Sequence, residues 1–154
     1  MFTSDVNLVD AYKQALGHDR VWPLSFAAQP AIHNPIRTDM PNYQKGDVAF
    51  AGMYFAHKYP ERREQMEMLL GGAMDASGHL EDGLRIFSRF EGKDERYLFP
   101  QPFSQRVVGS LPYEKMIAAY KNFKVFLNVN SVVDSPSMCS RRVFELLASG
   151  TPVV

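Results

Sequence analysis

From Lys45 onward, short apolar runs alternate with stretches of helical spacing, and this alternation restricts the possible folds more than any other feature of the chain. The run Asp47-Val48-Ala49-Phe50-Ala51-Gly52 predicts a short buried strand ending in a glycine. Residues 60–76 predict a helix, with Pro60 at a permitted first-turn position and Met66, Leu69, Leu70 and Met74 as its apolar residues. Leu84-Arg85-Ile86-Phe87 is a second strand, and residues 107–110 a short third one. A helix over 112–123, with Met116, Ile117 and Tyr120 on one stripe, leads to Val125-Phe126-Leu127-Asn128-Val129-Asn130, apolar on both faces until its end. A helix over 137–149, stopped by Gly150, precedes a last strand opening at Pro152. Strands alternating with helices imply a parallel sheet covered on both faces. The expected architecture is an α/β domain with a doubly wound parallel sheet, whose ligands settle at the carboxyl ends of the strands.

The first forty residues have a different texture. Residues 6–16 have near-helical spacing, with Asp5 as N-cap and Gly17 as stop. Pro23, Pro30, Pro35 and Pro41 then break any regular period, so residues 21–41 read as a semi-rigid linker. Residues 1–42 are expected to be the end of a preceding domain plus linker, and 43–154 a Rossmann-like domain. Residues 91–105, polar and aromatic without a period, read as a loop. The closing Thr151-Pro152-Val153-Val154 is the opening of a buried strand, which predicts a truncated piece of a longer protein.

Composition narrows the function classes. Hydrophobic residues at 45% and charged residues at 22% match a soluble globular domain. A formal net charge of zero supplies no global field to gather nucleic acid or an anionic membrane. No apolar run approaches the roughly 18 residues of a transmembrane segment. One cysteine, Cys139, permits no intramolecular disulfide and fits a reducing, cytoplasmic setting. His18, His33, His57 and His79 lack ligand spacing, so no metal and no cofactor are expected.

The strongest chemical constellation lies in residues 137–152. Ser137 is a good N-cap, and Ser137, Arg141 and Glu145 at i, i+4, i+8 lie along one helix face. Free N–H groups and the positive end of the helix dipole suit phosphate oxygens. An arginine one turn in adds a charge-assisted contact. A carboxylate one turn further, about 6 Å along, accepts the two hydroxyls of a ribose. An ordinary surface pair, Arg141 or Arg142 with Glu145, satisfies the same spacing and is worth a few tenths of a kcal/mol. Gly52 can be simple turn geometry or a close approach to phosphate, with His57 and Lys58 following it. Ser88 and Arg89 at the exit of the second strand can flank a base or form an ordinary strand end.

The block Arg141-Arg142-Val143-Phe144-Glu145-Leu146-Leu147-Ala148-Ser149-Gly150-Thr151-Pro152 resembles the donor-site helix and following strand of GT-B glycosyltransferases. It is closest to the CgeB-like and "glycosyl transferases group 1" families. Phe50-Ala51-Gly52 with an arginine-bearing helix, Val108-Gly109-Ser110-Leu111-Pro112, and Val125-Phe126-Leu127-Asn128 resemble the preceding motifs in the same order. The resemblance extends over nearly the whole chain.

It implies a C-terminal domain that binds a nucleoside-diphosphate sugar and transfers the sugar to an acceptor. Glu145 would be the ribose carboxylate, and Arg141 or Arg142 the arginine before it. Gly52 would be the phosphate loop, and Arg62 or Arg63 the helix arginine. Many retaining members carry a second glutamate eight residues upstream, where Ser137 stands here. The other class open to this sequence is a non-catalytic binding or scaffold module. An epimerase or dehydrogenase would want a G-x-G-x-x-G after the first strand, and none follows.

Overall fold

The structure, a computed structural model, describes residues 1–37, 39, 45–55, 59–132 and 134–154. The expected domain boundary near Tyr43, and also His57 and Lys58, lie outside the described residues.

Two short strands, β1 (Phe2–Thr3) and β2 (Trp22–Pro23), pair in parallel near the N-terminus. The main sheet holds β3 (Gly46–Gly52), β4 (Leu84–Ser88), β5 (Val107–Gly109) and β6 (Phe123–Leu127), all parallel, in the order β5-β4-β3-β6. Val153 extends it with a parallel bridge to Phe126, beyond β6. The chain thus winds outward from β3 in one direction through β4 and β5, then in the other through β6 and Val153. That is a doubly wound α/β sheet, and its switch point lies where β3 meets β6.

Residue alternation along β3 assigns the two faces. Val48 and Phe50 point to α2 (Pro60–Ala76), where Met66, Leu70 and Ala73 meet Leu84, Ile86 and Leu127. Ala49 and Ala51 point the opposite way, toward α3 (Tyr113–Tyr120) and α4 (Arg141–Ala148), with Phe87, Ala119, Phe123, Phe126 and Leu146. Both alanines are at most 2% exposed, so the helices on this side approach the strand closely.

At the amino end of the sheet, Asp47 is buried and ties three strands together. Its Oδ2 accepts the N–H groups of Asp82 (2.7 Å) and Gly83 (3.2 Å), and its Oδ1 accepts Lys124 Nζ (2.5 Å). Lys124 belongs to β6, and Gly83, at φ +67, makes the turn into β4.

Several boundaries differ from expectation. The helix expected over 112–123 ends at Tyr120, because Phe123 is drawn into β6 opposite Gly46 and packs edge-on against Phe87 and Phe126. The strand expected over 125–130 accordingly runs Phe123–Leu127. The loop over 91–105 contains two 3-10 turns, Glu95–Tyr97 and Phe103–Arg106. The helix expected over 6–16 is a 3-10 turn, Val6–Leu8, running into α1 (Val9–Leu16). Asp5 caps its start and left-handed Gly17 its end, as expected. Within the linker, Trp22–Pro23 pairs with the chain start.

The helix expected from Ser137 starts four residues later, and its N-cap is Ser140, whose hydroxyl accepts the Arg142 N–H at 3.3 Å. Ser137 instead accepts the N–H of Val6 (3.0 Å) and donates to the Ser4 carbonyl (3.2 Å). Asn130 Oδ1 holds the Ser140 N–H at 3.0 Å. A long-range docking contact has replaced the local cap at Ser137.

Candidate functional site

A cavity of about 630 Å³ opens at the carboxyl ends of β3, β4 and β5, beside the switch point. Ala51, Gly52 and Phe87 contribute its strand ends, Tyr113, Met116 and Tyr120 its α3 wall, and Ser140, Arg141, Arg142 and Glu145 its α4 wall. A smaller cavity of about 240 Å³ adjoins it and shares Arg62, Ser140, Arg141 and Arg142. Among the described residues, five cations line the larger cavity, Arg62, Arg89, Lys93, Arg141 and Arg142, against one carboxylate, Glu145.

Arg142 is built into the frame. Its Nη1 donates to the Ala51 carbonyl at 2.5 Å and its Nε to Tyr120 Oη at 3.2 Å, which joins the start of α4 to the ends of β3 and α3. Burial raises the Tyr120 phenol pKa, with the nearby Arg142 charge acting in the opposite direction. Thr151 Oγ1 donates to the Tyr120 carbonyl, which anchors the same corner from behind. Arg62 approaches from α2. Its Nη1 donates to Ser131 Oγ at 2.9 Å, and its guanidinium lies 5.7 Å above the Phe55 ring. Burial, and then the charge of Arg142, lower its pKa, and its Nε is buried without a hydrogen-bond partner. A partly desolvated guanidinium, that of Arg62, therefore feels the charge of Arg142 at the cavity edge, an arrangement that an anion would stabilise.

Glu145 is 3% exposed. Its Oε1 lies 2.8 Å from Arg141 Nε and 3.8 Å from His33 Nε2. These partners meet the polar demand of a carboxylate buried this deeply.

The other expected site residues divide. Arg63 points to solvent and lies 4.0 Å from Glu67, so of the two helix arginines it is Arg62 that reaches the cavity. Arg89 lines the cavity. Ser88 lies on the α2 face, opposite Gly52, fully buried and with its hydroxyl unpartnered. The backbone of Gly52 lines the cavity, but a Cβ there would stand 3.0 Å from the Phe50 ring, so packing under α2 already requires a glycine. Ser137 lies outside both cavity linings.

Residues 55–154, well over half of the chain and nearly all of this site, match the family described as glycosyl transferase-like. The chain belongs to that family. No curated protein matches it. The matched stretch of the glycosyl transferase-like chain covers α2 through Val153, and so includes both guanidinium groups and Glu145. His33, which also touches Glu145, stands before it. Among the described residues no three His, Cys, Asp or Glu side chains cluster as metal ligands. No helix among the described residues is long and apolar enough to cross a membrane.

His33, Lys93, Tyr113 and Ser140 were not singled out by sequence. Ser140, a serine directly before Arg141, is a legible capping residue. His33 carries no local signal, because its role arises from a contact 112 positions away.

Proposed function

We propose that the chain is the donor half of a GT-B-type glycosyltransferase and binds a nucleoside-diphosphate sugar in the larger cavity. The observation that carries this reading is the charge pattern of a cavity at the strand ends, five cations and one buried carboxylate, in a glycosyl transferase-like chain. The diphosphate would sit between Arg62, Arg142 and the start of α4, where the guanidinium charges meet the positive end of the helix dipole. The ribose diol would meet Glu145, further along the same helix, with Arg141 steadying the carboxylate. The base would lie against the strand-end wall near Phe87.

In the transfer itself, the bond between the anomeric carbon and the diphosphate oxygen breaks and its electron pair leaves with the diphosphate. The acceptor oxygen forms the new bond and gives up its proton. The residues named here act on the leaving group, stabilising negative charge as it develops. The acceptor and the group that takes its proton belong to the facing half of such an enzyme.

The test is a titration of the chain with UDP, GDP, ADP and TDP, followed by ligand-observed NMR, with Glu145→Gln alongside. Selective binding of one diphosphate, weakened about tenfold by Glu145→Gln, is the expected result. Equal binding by a folded Glu145→Gln variant would remove Glu145 from the donor site.

A further inference from the structure

We propose that His33 is a positioning residue for Glu145, which makes the turn over residues 29–35 a support that stands behind the nucleotide site rather than in its lining. This rests on the reading of Glu145 as the ribose-binding carboxylate.

The basic groups nearest the Glu145 carboxylate among the described residues, Arg141 and His33, differ in character. Arg141 is 61% exposed, so water screens its 2.8 Å contact with the carboxylate. The His33 side chain is 4% exposed and held from several sides. Its Nδ1 accepts the Gln29 N–H at 3.0 Å, which leaves the ring proton on Nε2. That nitrogen lies 3.3 Å from Tyr113 Oη and 3.8 Å from Glu145 Oε1. The N–H edge of the ring therefore faces a tyrosine oxygen and the carboxylate at once. It marks out one side of the space Glu145 can occupy.

The turn is itself fixed before it meets the helix. The His33 and Ile32 N–H groups donate to the Gln29 carbonyl at 2.7 and 3.0 Å, and Asn34 Nδ2 donates back to the carbonyls of Pro30 and Ala31. Two anchors then seat it on the domain. Buried Lys121, just past α3, donates to Asn34 Oδ1 at 3.0 Å. Pro35 packs on Gly150, just past α4, where an added Cβ would come within 3.2 Å of the proline ring. Gly150 also has φ +77, so its position both turns the chain and admits Pro35. A ring held this way orients a neighbouring ligand-binding group in advance of binding.

Two substitutions separate positioning from simple support of the turn. His33→Gln keeps a donor near the Nε2 position and gives up the Nδ1 acceptor. His33→Asn keeps the acceptor for Gln29 and gives up the donor facing Glu145. UDP, GDP and ADP, each paired with its 2′,3′-dideoxy form, are titrated into the full chain, and the ratio of dideoxy to ribo Kd is read.

Glu145→Gln should collapse the native ratio toward one. His33→Asn should lower the ratio by about threefold without changing dideoxy affinity, and His33→Gln should keep it within about twofold of native. A Glu145→Gln ratio equal to native would overturn the ribose reading and this inference with it. A collapsed ratio in Glu145→Gln beside a native ratio in His33→Asn would overturn the inference alone. Equal weakening of both nucleotide forms would mark His33 as support for the turn only, and would also overturn it.

Long-range ¹H–¹⁵N spectra of the imidazole test the same contact without a ligand. The His33 Nε2 signal should move in Glu145→Gln while Nδ1 stays put. An unmoved Nε2 signal in the folded variant counts against the proposal.

Discussion

Replacing Asp47 should destabilise the fold without touching the proposed nucleotide site, and its cost can be worked from the geometry. The carboxylate is 2% exposed and accepts hydrogen bonds from Lys124 Nζ and from the N–H groups of Asp82 and Gly83. Its pKa falls from 3.8 to about 2, chiefly through the Lys124 hydrogen bond and then that from Asp82, against the opposing effect of burial. A lowered folded-state pKa stabilises the protein above the unfolded value, and the gain disappears as pH falls through the folded one. A shift from 3.8 to about 2, at 1.36 kcal/mol per unit, corresponds to roughly 2.4 kcal/mol. Lys124 is 71% exposed, so solvent screening reduces the figure to between about 1 and 2 kcal/mol.

Asp47→Asn removes the charge at nearly constant volume and should cost about that much at pH 7. Asp47→Ala also leaves the buried Gly83 N–H and the part-buried Asp82 N–H without their acceptor and should cost about 3 kcal/mol. Urea unfolding followed by far-ultraviolet circular dichroism measures both, as a lower midpoint at constant slope. Repeating the comparison at pH 2 should shrink the gap between native and Asp47→Asn to a few tenths of a kcal/mol. A gap that is absent at pH 7, or unchanged at pH 2, would refute the reasoning.

Further substitutions test the corner around α4. Ser140→Ala removes the N-cap and should lower stability by about 1 kcal/mol in the same urea assay, because the Arg142 N–H loses its acceptor. Arg142→Lys cannot reach Tyr120 and the Ala51 carbonyl together. It should lose about 1 kcal/mol of stability and, in the NMR titration, weaken nucleoside diphosphate binding about tenfold.

The sheet was readable from sequence because β3 and β4 are short apolar runs buried on both faces, and α4 carries a clear stripe. Residues 60–76 were expected as one helix, and α2 has those bounds. Edges were harder to read where a residue is useful to both neighbouring elements. Phe123 continues the stripe of α3 by spacing, but it buries more as the first residue of β6. Ser137 and Ser140 are equally good caps locally, and only the docking of residues 4–6 onto Ser137 assigns the role to Ser140.

In the site, Glu145 and its neighbouring arginines were visible as an i, i+4 pattern. The choice between Arg62 and Arg63 was not, because one residue rotates the side chain by about 100° around the helix. His33 was invisible for a different reason. Its meaning lies in Tyr113 and Glu145, which only the folded chain brings to it.

The crowding of Arg62 against Arg142 has a practical consequence for handling the protein. Like charges held close and partly dry repel each other, and any small anion that settles between them relieves that repulsion. The melting temperature should therefore depend on the buffer anion, rising with phosphate or sulfate by RT ln(1 + [L]/Kd) and hardly moving with chloride at matched ionic strength. A nucleotide affinity measured in phosphate would then report a competition, and would come out weaker than the site's own.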